Sequence, residues 1–104
     1  MSEIRLNYEN AIQKAKELEE CANNCINEAS EAEQMAQRSQ EAWMGPSGEL
    51  MYEKIMEWAK QQKQYGEELR EIANRIRVIA NDIKERDEEL ARLNSHGGPG
   101  GGFR

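Results

Sequence analysis

Residues 43–49, Trp43-Met44-Gly45-Pro46-Ser47-Gly48-Glu49, decide the fold, because near the middle of this 104-residue chain they forbid an α-helix. Proline has no amide hydrogen and fixes its own φ, and the residue before it is pushed out of helical geometry. Gly45 and Gly48 loosen the backbone on either side. The chain stops, turns and restarts here. The stretch predicts a helix over about 4–43, a turn at 44–47 and a second helix over about 48–94, with Glu49 near the positive end of the second.

Outward from the turn, both arms carry a seam of residues at alternating steps of four and three, the period of a helix that packs on another helix. On the first arm the seam is Ile4, Tyr8, Ala11, Ala15, Leu18, Ala22, Cys25, Ala29, Ala32, Ala36, Ser39 and Trp43, mostly alanine. On the second it is Met51, Ile55, Trp58, Gln62, Tyr65, Leu69, Ile72, Ile76, Ile79, Ile83, Arg86, Leu90 and Leu93, mostly large. Folding the second arm back with Trp43 across from Met51 puts Ala11 against Ile83, Ala15 against Ile79 and Ala22 against Ile72. The same register sets Ala29 against Tyr65, Ala36 against Trp58 and Ser39 against Ile55, small against large throughout.

Two helices cannot cover side chains of this size on every side, because a two-helix layer leaves the flanks of its seam open to water. Ile12, Cys21, Ile26 and Met35 widen the face that needs cover. The expected architecture is therefore all-α: an antiparallel helix-turn-helix hairpin over residues 1–96 that dimerises into a four-helix bundle. Its expected core is Leu18, Ile55, Trp58, Tyr65, Leu69, Ile72, Ile76 and Ile79. The second arm outruns the first and ends at Gly97-Gly98, leaving 97–104 as a flexible glycine-rich tail.

Composition narrows the function. A hydrophobic share of 38% against 33% charged residues reads as a soluble chain, and the net charge of -6 excludes a nucleic-acid surface, whose affinity comes from neutralising phosphates. The same charge disfavours anionic membranes. No stretch approaches the roughly 18 apolar residues of a membrane helix, so no stable membrane insertion is expected. The start, Met1-Ser2-Glu3-Ile4-Arg5, has neither the basic stub nor the apolar run of a signal peptide.

Chemistry is sparse. Cys21 and Cys25 stand one helical turn apart, a spacing at which two thiolates can share a zinc ion, but the single histidine, His96, lies near the far end of the second arm. The two are read as packing residues, an inter-chain disulfide being the alternative. The carboxylates, Glu17, Glu19, Glu20, Glu28, Glu31 and Glu33 among them, fall on outward heptad positions as a solvated face. No metal, no cofactor and no enzyme is expected.

A Trp-Xaa-Gly tripeptide, Trp43-Met44-Gly45, in the turn between two long heptad arms resembles the WXG family of small proteins exported by type VII (Esx) secretion systems of Gram-positive bacteria and mycobacteria. The resemblance covers about Ile4 to Leu90 and maps the family's Trp and Gly onto Trp43 and Gly45. It implies a hairpin that pairs with itself or with a paralogous hairpin, meets the motor ATPase of the secretion machine, and is secreted without a cleaved signal peptide after folding in the cytoplasm. The family's late signal, Tyr-x-x-x-Asp/Glu, falls at Ile83-Lys84-Glu85-Arg86-Asp87, where the acid is present and the tyrosine is not. That departure implies a partner that supplies the aromatic.

Other readings stay open beside it. Trp43 can serve as a recognition residue or as a cap on the end of the bundle, and Gly45 can serve the turn alone. The chain can equally be the targeting partner of a larger toxin whose own helices complete the bundle, or a structural adaptor that stays in the cytoplasm.

Overall fold

The computed structural model describes residues 2–42 and 45–97, with side chains described for 5–40, 42 and 45–94. Two long helices account for all of these but Gly45: α1 over Ser2–Ala42, 41 residues, and α2 over Pro46–Gly97, 52 residues. Among the described residues there is no strand.

The break is built as its residues dictate. Gly45 takes φ 94°, a left-handed value that side chains resist, and a Cβ built there would meet nothing within 4 Å. α2 then starts on Pro46 itself, two residues before the expected restart, because a proline in the first helical position loses no hydrogen bond and brings a ready-made φ. The Glu49 amide donates to the Gly45 carbonyl at 3.2 Å, the first rung of α2, and the Glu49 carboxylate sits in the first turn where the helix dipole favours it.

The chain divides into two compact units: Glu17–Ile72, which contains the turn, and Met1–Lys16 with Ala73–Arg104. In the first, α1 and α2 form a helical hairpin whose fully buried residues are small: Ala22, Ala29, Ala36 and Ala59, with Gly48 and Gly66 also buried. A Cβ added to Gly66 would stand 3.0 Å from the Ala22 carbonyl oxygen, so backbone meets backbone there. Near the turn, Ala36, Ser39, Gly48, Tyr52 and Ile55 line one small crevice. In the second unit the buried residues are again alanines: Ala15, Ala73 and Ala80. The Tyr8 hydroxyl there donates to Asn81 Oδ1 at 2.9 Å, and Lys84 Nζ lies 4.7 Å from the centroid of the Tyr8 ring.

These contacts correct the expected small-against-large register. The residue set against Ala22 is Gly66, not Ile72, and the buried positions of α2 (Ala59, Gly66, Ala73 and Ala80) each lie one residue after a side chain expected in the seam: Trp58, Tyr65, Ile72 and Ile79. One residue is about 100° around a helix. The small residues therefore let the backbones approach closely, and the large ones turn away from the contact. Leu18, Ile55 and Leu69 in the turn unit, and Ile76 in the other, are half-buried.

Candidate functional site

The consequence of that one-residue offset is a row of large apolar side chains facing outward. In the unit containing the turn, α2 presents Met51, Trp58, Tyr65 and Ile72 at strict heptad spacing, with 44%, 44%, 54% and 46% of their surfaces exposed. Ile79 and Ile83 carry exposed apolar surface on α2 in the other unit. There they line, with Tyr8, Ala11, Ile76 and Ala80, an open apolar hollow of about 290 Å³. Leaving one such side chain in water rather than burying it forgoes about 1.5–3 kcal/mol. Met51, Trp58, Tyr65 and Ile72 together make an exposed apolar patch of the kind that interaction surfaces carry.

The other flank of the turn unit is polar. Lys63 Nζ pairs with Glu33 Oε1 at 2.8 Å, and Arg70 Nη2 donates to Asn23 Oδ1 at 2.8 Å. Such part-exposed contacts fix register more than they stabilise. In the turn unit, α2 thus carries an apolar row on one side of the contact and paired polar side chains on the other. Sequence periodicity alone placed Trp58, Tyr65, Ile72 and Ile79 in a shared core without separating the hairpin's own contact from the face beside it. The signal that separates them is the second heptad series, Ala59, Gly66, Ala73 and Ala80, running parallel to the large one.

Of the motif positions, Gly45 is the positive-φ hinge before α2, whereas Trp43 and Met44 lie outside the described residues. Ile83 is exposed and Asp87 half-buried, one helical turn apart on α2. The cysteines are free thiols, Cys21 exposed and Cys25 half-buried. Among the described residues, no three of His, Cys, Asp and Glu come together as metal ligands, and no helix is long and apolar enough to cross a membrane. The residues from Gly98 onward, most of the expected tail, lie outside the described set.

A family model described as proteins of 100 residues with WXG matches residues 3–88, spanning both helices and the turn between them. The chain belongs to the WXG100 family. WXG100 proteins are small, helical, non-enzymatic proteins of type VII secretion systems, secreted without a signal peptide and dimerising with helical partners. The matched span takes in Trp43 and Gly45, of the tripeptide for which WXG100 is named, as well as the outward residues Met51, Trp58, Tyr65 and Ile72. No curated protein and no solved structure matches the chain.

Proposed function

We propose that this WXG100 protein is a substrate of a type VII secretion machine, exported as one half of a four-helix bundle in which a second helical hairpin covers the outward face of α2. The observation that carries this reading is the row Met51, Trp58, Tyr65 and Ile72, about half exposed at heptad spacing beside a closed small-residue contact. A hairpin that spent its large side chains on its own contact would not need a partner. This one holds them out.

The row is apolar from end to end, so a second copy of the chain fits it without introducing an unpaired charge. Trp43 and Gly45, at the turn, are proposed as the feature read by the secretion motor ATPase. One observation favours a paralogous hairpin instead: Ile83 stands where the family's late motif carries tyrosine, so a partner could supply the aromatic.

Export is tested by following the chain in culture supernatant with the motor ATPase intact or inactivated. It is expected outside the cell only with the intact motor. Equal amounts outside in both strains, or none in either, would overturn the reading. A Trp43→Ala variant is expected to accumulate inside the cell and vanish from the supernatant.

A further inference from the structure

We propose that Tyr8 is a latch: it holds residues 5–16 of α1 against residues 73–84 of α2 in an end unit that opens as one while the turn unit stays closed, whether or not the chain is exported. The boundary of the end unit falls between Lys16 and Glu17 in α1 and between Ile72 and Ala73 in α2, inside helices that run on without a break.

Chain topology makes the two units unequal. The turn unit is one continuous segment, 17–72, and its two helices are joined by the turn inside it. The end unit is two separate segments, and the chain that joins them is the whole of the turn unit. The turn unit can therefore close by itself. The end unit closes cheaply only once the turn unit has brought its segments together, because otherwise the long loop between them must be closed as well. Opening runs in the reverse order.

Packing is unequal too. In the end unit the buried side chains are Ala15, Ala73 and Ala80, while Leu6, Val78, Ile79 and Ile83 are each more than half exposed. The turn unit buries Ala22, Ala29, Ala36 and Ala59 and brings Ile26 against Gly66. Little apolar surface holds the end unit shut.

Tyr8 supplies the hold that apolar burial does not. It is the one aromatic side chain among the described residues of the end unit. Its hydroxyl donates to Asn81 Oδ1 at 2.9 Å, across 73 positions of chain, and Lys84 Nζ lies 4.7 Å from the centroid of its ring. The same side chain lines the apolar hollow with Ile76, Ile79 and Ile83. One residue of α1 thus meets α2 by hydrogen bond, cation–π contact and apolar packing together. Gln13, Lys14 and Arg77 of this unit also have interaction partners.

Release of Tyr8 has a defined consequence. Without α2 beside them, residues 5–16 are held helical by propensity alone, and Asn7, Tyr8 and Asn10 are weak helix formers. Their amides then exchange with water. Ala73 and Ala80 come into water with them, so the apolar inner side of late α2 is bared without unfolding the turn.

Hydrogen exchange of the full chain under native conditions, read amide by amide by NMR over a series of protein concentrations, tests the latch. Amides of 9–16 and 76–84 are expected to share one level of protection, below that of 22–36 and 55–69, with the step at the unit boundary. Tyr8→Ala is expected to lower the first set by about tenfold, the ratio that one net hydrogen bond and one exposed cation–π contact make together, and to leave the second unchanged. Tyr8→Phe, which keeps the ring and loses the hydroxyl, is expected to fall between Tyr8→Ala and the parent chain. Equal protection in the two sets, a smooth decline from the chain ends with no step, or a Tyr8→Ala variant that lowers both sets alike or neither would overturn the latch. Protection of the first set that rises with protein concentration would overturn it too, since pairing and not Tyr8 would then be closing the end unit.

Discussion

A methyl group added to Gly66 would stand 2.6 Å from Cγ1 of Ile26, a distance no packed pair of carbons tolerates. The two helices meet at Gly66 because it has no side chain. The same Cβ would lie 2.9 Å from Ile26 Cδ1 and 3.0 Å from the Ala22 carbonyl oxygen, and the carbonyl belongs to the backbone of α1 and cannot swing aside.

Gly66→Ala is therefore expected to lose stability even though alanine is the better helix former. The propensity gain is about 0.8–1.0 kcal/mol and overpacking costs about 1–3 kcal/mol, leaving a net loss of about 1 kcal/mol. Thermal unfolding at fixed protein concentration checks it. Adding Ile26→Ala to Gly66→Ala removes the two nearest clashes, so the double variant should lose less than the sum of the single losses. An additive double variant would mean that Gly66 and Ile26 do not meet.

At the turn the constraint is conformational, not steric. Gly45 has φ 94° with open space where a Cβ would go. Gly45→Ala is expected to cost about 1–2 kcal/mol of stability from backbone strain, and Gly45→Asn less, because asparagine tolerates positive φ. Equal unfolding midpoints for the alanine and asparagine variants would contradict this origin.

The polar flank should matter little. Lys63 and Glu33 pair at 2.8 Å with part of each side chain in water, so Glu33→Gln is expected to lower stability by at most about 1 kcal/mol. Added salt should diminish that small difference further. A loss of several kcal/mol would mean that the pair is shielded in the assembled protein by something that covers this flank.

On the opposite flank the effects should appear in association. Trp58→Glu and Tyr65→Glu each place a charge on a face that is half exposed in one chain, so secondary structure should survive dilution better than pairing does. Sizing at matched concentration should give a lower mass for either variant than for the parent chain. A parent-like mass for both would mean that the pairing face lies elsewhere.

Much of the fold is legible in the residues themselves. Gly45-Pro46 forces the break before α2, and the heptad phase of the first arm, through Ala15, Ala22, Ala29 and Ala36, names the side of α1 that packs. The register is not legible, because residue volume is a poor guide to where two backbones touch. Matching Ala22 with Ile72 fills space, but Gly66 allows Ala22 to approach the backbone itself, and that closer contact leaves Ile72 on the outer face. The signal is a stripe of small residues at heptad spacing on both arms, Ala15, Ala22, Ala29 and Ala36 with Ala59, Gly66, Ala73 and Ala80, each beside a larger neighbour. In the sequence Trp58, Tyr65, Ile72 and Ile79 read as members of a shared core. That they are outward-facing required knowing where the backbones touch.

Light scattering of the purified chain, at low micromolar concentration with reductant present, tests most directly whether this hairpin is half of a bundle. A mass of twice 12.0 kDa is expected, with high helicity, because the row Met51, Trp58, Tyr65 and Ile72 then closes on a second copy. A monomer of 12.0 kDa that is fully helical and stable to heating would contradict it, since the outward row would then need no cover at all.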